Sequence, residues 1–367
     1  VNEDKGTRHR RLQRRLHVLQ VASVSLSLAV LAVATALLPS PGRPVAHDLA
    51  MLGLVGSVLV VVSAPWAWAR DVALARRFGR PGVSVGGWAR RHLLQWALTL
   101  ASATPLWLLF QWLQRMAPWA VVPVTTVAAV MGSLLLLGLA PWLVTWSPRV
   151  TPLADEALTG RLHALVGRSG LRLAGVHAWR EGPGASEPNA ALIGAGPGRR
   201  LLLSASLLDS FTPEEIEVVV AHELGHHARG HIWRRIRMTW AITCGVVVMA
   251  QGVALLRAMA TGAAFADARA LPLMLLAGGA VALLARPRLL AQSRAHEAEA
   301  DDFALAVTGR PDVLERILTR LGAHYKAAPD PSPFEAAFFL THPPVRERVT
   351  RVRAWRGEGL ARSGAIE

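Results

Sequence analysis

The chain has 367 residues, 52% of them hydrophobic, and a formal net charge of +15 at pH 7. Such a charge invites a nucleic-acid reading, but the chain also carries apolar stretches of about 20 residues, the length that crosses a bilayer core. Its single cysteine, Cys244, excludes a disulfide within the chain and a cysteine-based zinc site.

Four apolar stretches come first, over residues 16–38, 49–69, 93–113 and 121–146. The first starts from a basic segment, but its apolar run is longer than a cleavable signal peptide needs, so a retained signal anchor is expected. Basic residues alternate between loops. Lys5, Arg8, Arg10, Arg11, Arg14 and Arg15 precede the first stretch, and Arg70, Arg76, Arg77, Arg80, Arg90 and Arg91 separate the second from the third. The intervening loops hold only Arg43 and Arg115. The positive-inside rule then predicts a cytoplasmic N-terminus, and counting spans puts residues 147–237 and the segment after 290 on the same side.

Short strands are predicted over 171–179 and 200–203, between glycine-rich turns. Thr212-Pro213-Glu214-Glu215 then reads as a helix start, with Thr212 as N-cap, proline at the first helical position and Glu215 closing a capping box. The helix carries His222-Glu223-Leu224-Gly225-His226. Two histidines four apart share a helix face and can both reach one Zn²⁺, and the glutamate between them can take a proton from an attacking water. His227 and His231 are expected to turn away from that face as polar positions of the same helix.

Two further apolar stretches, over 238–259 and 270–290, complete six. A catalytic zinc usually takes three protein ligands. The metzincin pattern would require Gly at 229 and His at 232, where the chain has Arg229 and Ile232. A thermolysin-like glutamate is excluded too, because no Asp, Glu or His occurs between His231 and Asp267. The remaining candidates follow the sixth stretch: His296, Glu297, Glu299, Asp301 and Asp302. Glu297 and Asp301 are four apart on one helix face, a spacing that suits a ligand and the group orienting a ligand imidazole. An acidic cluster solvating the end of a span is the plainer alternative.

The stretch Ser293-Arg294-Ala295-His296-Glu297-Ala298-Glu299-Ala300-Asp301 resembles the S-R-x-x-E-x-x-A-D pattern of the M48 membrane metallopeptidases, which include the Ste24 (type I CAAX prenyl) and HtpX heat-shock proteases. Pro188-Asn189-Ala190-Ala191 resembles that family's P-N-A segment, and Thr341-His342-Pro343-Pro344 with Arg348 resembles its H-P-P-x-x-x-R segment. Four spans ahead of the motif look more like Ste24 proteins than HtpX. The resemblance implies Glu297 as third zinc ligand beside His222 and His226, Asp301 as their outer partner, and Asn189 with Ala190 on an edge strand that pairs with substrate backbone. His342 would stabilise the oxyanion; Arg348 would do the same or pair with Asp301.

The expected fold is an α-helical polytopic membrane protein of about six transmembrane helices, with a split zincin-like α+β catalytic domain carrying a small β-sheet. Residues 1–149 form the four-helix membrane region, 150–237 and 291–352 the two catalytic halves, 238–290 the last two spans, and 353–367 a polar tail that frays. The expected function is zinc-dependent peptide-bond hydrolysis at the cytoplasmic side of a bacterial inner membrane or in an intramembrane chamber. Its partners would be a peptide or protein substrate and the lipid bilayer, with no nucleic acid. Prenyl-peptide processing and a silent membrane-protein scaffold are the alternatives. A transporter reading is weak, since few ionisable groups fall within the spans.

Overall fold

A computed structural model of the chain describes residues 5–37, 44–78, 84–181, 188–324 and 331–362. Six of its helical segments are long and apolar enough to cross a membrane, as the composition predicts. Helix α1 spans Lys5–Ala36, and α2 (Pro44–Trp68) continues through a π-helical turn, Ala69–Ala73, into α3 (Leu74–Arg77). Helix α4 covers Val85–Met116 and α5 Val121–Thr145. Ser84 starts α4 by accepting from the Gly87 N–H, a side-chain cap for a donor the helix leaves unpaired.

A small sheet follows. Strand β1 is Val150–Pro152, helix α6 Glu156–Arg168, β2 Gly175–Trp179, β3 Ala190–Ile193 and β4 Arg200–Ser204. The strand order is β1-β2-β4-β3, with β2 and β4 parallel and the outer pairs antiparallel. β1 adds to the strands expected, β3 begins at Ala190, one residue after Asn189 of the expected edge strand, and Leu171 to Ala174 lie outside β2. Helix α7 (Ala205–Ser210) leads to α8 (Pro213–Ala228), which begins with the predicted capping box: Glu215 N–H donates to Thr212 Oγ1 at 3.3 Å, and Thr212 N–H to Glu215 Oε2 at 3.0 Å.

Helix α9 covers His231–Thr261, α10 Leu271–Thr308, α11 Pro311–His324, α12 Pro333–Phe339 and α13 Val345–Arg362. One expectation changes here. His231 does not continue the motif helix: α8 ends at Ala228, and Gly230 at φ 68° turns the chain into α9. A positive φ is cheap only without a Cβ, so glycine at this position sets the break. Helix α13 runs on through Arg362 where a frayed tail from Arg353 was expected. The buried Val352 anchors it, and Arg353 pairs with Glu315 at 2.8 Å. Residues 363–367 lie outside the described residues.

The chain divides into two compact units, Val1–Ala129 with Trp240–Ala285 and Val130–Thr239 with Arg286–Glu367. In the first, Leu28, Met51, Val55, Trp107, Ala268 and Leu271 pack together. Leu26, Val30 and Val33 of α1 and Leu94, Leu98 and Leu106 of α4 stay exposed, an apolar surface suited to lipid. The helices are longer than the apolar stretches, so Asp48, Arg115 and Arg257 lie within them. Asp48 is 1% exposed and pairs with Arg115 at 2.6 Å, a buried charge neutralised by its partner.

The second unit has its own core. Leu162 and Leu165 of α6, Leu201 and Leu203 of β4, Val218 and Leu224 of α8, and Ile317 of α11 are all buried in it. Helix α8 passes α10 at Gly225, where an added Cβ would come within 3.1 Å of Ala300 Cα and of Phe303 Cβ. This close approach brings the motif helix against the face of α10 that carries Glu297 and Asp301.

Candidate metal centre

His222 and His226 project from α8, and Glu297 from α10, so that one ligating atom of each lies within 4.8 Å of the others. His222 Nε2 is 3.3 Å from His226 Nε2 and 3.4 Å from Glu297 Oε2, while His226 Nε2 is 3.5 Å from Glu297 Oε1. A tetrahedron with metal–ligand bonds of about 2.0–2.1 Å has edges of about 3.3–3.4 Å, which the two imidazole nitrogens match, and each of them has a different Glu297 oxygen at a similar distance. The charge balance fits as well. Burial works against a proton on His222, but hydrogen bonds to Asp301 and Glu297 outweigh it and raise its pKa to about 10. These surroundings favour a positive charge at that point. Burial and the neighbouring His222 lower His226 to about 3, leaving a neutral imidazole fit to coordinate.

Each histidine is held from behind. His222 Nδ1 lies 3.0 Å from Asp301 Oδ1, and Asp301 receives Arg348 in a two-pronged pair, Nε to Oδ2 at 2.8 Å and an Nη to Oδ1 at 2.6 Å. Of the two uses considered for Arg348, the geometry realises the pairing with Asp301. His226 Nδ1 meets His231 Nδ1 at 2.9 Å, His231 Nε2 meets Glu299 at 3.1 Å, and Arg234 holds Glu299 at 3.0 Å. With His226 Nε2 free to bind a metal, its proton sits on Nδ1 and donates to His231, which donates onward to Glu299. His231 is 3% exposed and stacks on His296 with centroids 4.1 Å apart. Sequence reasoning assigned His231 to an uninvolved face. The signal that could have found it is Gly230, which starts a new helix and resets the facing.

Glu223 lies between the two histidines, and burial pushes its carboxyl up to about 7, with His222 opposing and Glu297 adding to the rise. His342 is more open; its Nε2 is 3.7 Å from Glu297 Oε1 and its side chain is 55% exposed. Arg294, the arginine of the S-R-x-x-E stretch, places the approach to His342 by donating to the Ala336 and Leu340 carbonyls at 2.5 and 3.0 Å. Asn189 immediately precedes β3, exposed, with its carbonyl accepting from Ser204 N–H at 2.9 Å and its N–H donating to Ser204 Oγ at 2.8 Å. Ala190 opens β3 opposite Leu203 and is buried. Among the described residues β3 is the outermost strand on its side.

Residues 156–356, more than half of the chain, match Peptidase family M48. The chain belongs to this family. CAAX prenyl protease 1 of Saccharomyces cerevisiae is 26% identical over 190 residues, which cover 51% of this chain and 42% of the yeast protein. A Protease HtpX homolog of Syntrophobacter fumaroxidans is 30% identical over 195 residues, covering 46% of this chain and 67% of that relative. The chain thus spans under half the length of the yeast relative and about two thirds of the bacterial one. The fold also resembles the crystal structure of S. mikatae Ste24p, with a TM-score of 0.74 at 21% identity over 95% of this chain and 88% of that one. Membership in M48 implies a metal, and the paired histidines with Glu297 are where this member of the family can hold it.

Proposed function

We propose that this M48 member is a membrane-embedded zinc endopeptidase, with His222, His226 and Glu297 holding the metal. The observation that carries the reading is two imidazoles and a carboxylate whose ligand atoms lie within 4.8 Å of one another, beside the Glu223 carboxyl pushed up to about 7. Bound zinc would supply Lewis-acid polarisation of the attacking water and of the scissile carbonyl. Glu223 accepts the water's proton on its carboxylate and delivers it to the leaving amine, a task suited to a pKa near the working pH. His342 donates from its ring to the oxygen that gains charge as the carbonyl carbon becomes tetrahedral. Asp301 and Arg348 keep His222 in the tautomer that leaves Nε2 free. The outer edge of β3, entered through Asn189 and Ala190, takes the substrate as an added strand.

The catalytic halves at 150–237 and 291–352 face the cytoplasm of a bacterial cell membrane on this reading, in line with the distribution of arginine. Quality control of membrane proteins or clearance of peptides is the corresponding role. Processing of prenylated peptides is the second reading, favoured by the name of the yeast relative. Cleavage of farnesylated over plain peptides would promote it.

Zinc content and casein cleavage of the detergent-purified chain and of Glu223→Gln test the proposal together. Stoichiometric zinc in both, with cleavage in the unsubstituted chain alone, is the expected result. Loss of zinc in Glu223→Gln would make Glu223 structural, and absence of zinc from both after metal is supplied would reject the site.

A further inference from the structure

The edge of β3 is not free along its whole length. Ser204 N–H donates to the carbonyl of Asn189, directly opposite in the antiparallel register. Hydrogen-bonded and non-hydrogen-bonded pairs alternate along such a ladder. Asn189, Ala191 and Ile193 therefore turn their backbone groups toward β4, and Ala190 and Leu192 turn theirs outward. One outward group is already taken: His227 Nε2 lies 2.8 Å from the Leu192 carbonyl. Arg199 Nε donates to His227 Nδ1 at 3.2 Å, so the ring proton sits on Nε2 and points at that carbonyl. Arg199 is itself fixed in the β3–β4 turn by donating to the Gly196 carbonyl at 2.9 Å. Past Ile193, Gly194 at φ 85° ends the strand, and a Cβ there would collide with Pro141.

We propose that His227 is a specificity-determining residue that closes the β3 edge at Leu192, leaving Ala190 as the one position where a substrate backbone can form a complete pair. An added strand would run about 4.7–4.9 Å from β3 and bring its own N–H to the Leu192 carbonyl. The His227 imidazole stands in that place. It is one helical turn beyond Glu223 on the same face of α8, so the extended substrate passes the proton acceptor and stops short at His227. The prediction is a short footprint on one side of the scissile bond. This inference rests on the peptidase reading above.

The test uses zinc-loaded full-length chain in detergent and peptides lengthened one residue at a time on each side of the cleaved bond. Cleavage gives kcat/KM, and fluorescence anisotropy of the same peptides on the Glu223→Gln background gives affinity without turnover. Without substitution at 227, one direction of lengthening should stop improving affinity once the residue opposite Leu192 is reached. His227→Ala should gain roughly three- to tenfold from that residue, the worth of one backbone hydrogen bond. His227→Gln, which keeps a donor, should restore the cut-off. Arg199→Gln loosens the same contact from outside the metal helix and should shift the cut-off in the same direction, which covers a failure of His227→Ala to fold. Identical length profiles in all variants, or an equal loss at every length, would overturn the closure while leaving the peptidase reading intact. Failure of the unsubstituted chain to bind or cleave any peptide would reject that reading and the closure with it.

Discussion

His231 shows how much a single side chain can decide outside the ligand set. It links His226 to Glu299 and Arg234, as Asp301 links His222 to Arg348, so each candidate histidine ligand has an anchored partner behind it. Removing such a partner typically weakens metal binding about 10- to 100-fold. His231→Phe keeps the ring that stacks on His296 and deletes the hydrogen bonds. Its zinc affinity, measured by competition with a chelator, is expected to fall by that factor with little change in melting temperature. Equal affinity would show that His226 needs no support from His231. His222, Glu223 and His226 were legible from their spacing because three neighbours on one helix are placed by helix geometry alone. His231 was not, because the turn at Gly230 gives α9 a new direction.

At the scale of elements, the candidate metal centre forms because α8 and α10 approach closely enough to bring His222, His226 and Glu297 together. Gly225 permits this, with Ala300 and Phe303 where a Cβ would go. Both contacts involve atoms at or next to the backbone, so Gly225→Ala must separate the helices rather than rotate a side chain away. Overpacking of this kind costs about 1–3 kcal/mol. The variant is expected to melt lower and to hold zinc more weakly, as read by thermal unfolding with metal analysis. A lowered melting temperature with unchanged zinc affinity would mean the ligand geometry tolerates the shift. The capping box opening α8 was readable because it is a four-residue pattern. The approach at Gly225 was not, since a glycine inside a helix looks the same whether it faces solvent or another helix.

For the molecule as a whole, orientation in the bilayer rests on charge. Cys244 is the sole cysteine, so Cys244→Ser makes a clean background for single cysteines. Arg229→Cys, in the turn between α8 and α9, and Thr261→Cys, at the far end of α9, both replace exposed residues. In whole bacterial cells a membrane-impermeant maleimide should label Thr261→Cys and spare Arg229→Cys. The reverse pattern would invert the orientation drawn from the arginines. The six spans were visible because lipid selects on composition over a long window. The Asp48–Arg115 pair within the membrane unit was not, because its two charges are 67 residues apart and sit at the ends of apolar runs.

Composition, helical spacing and capping chemistry therefore account for six spans, a helix carrying two candidate metal-binding histidines and its starting point, since each depends on residues close together in the sequence. The family motif also pointed to Glu297 and Asp301 ahead of any structure. Tertiary packing alone settled which atoms face one another: Glu297 against both histidines, Arg348 on Asp301, His231 behind His226, and His227 on the edge of β3. Those pairings join separate helices and strands, and their distances follow from how α8, α10 and the sheet pack, which no local pattern encodes.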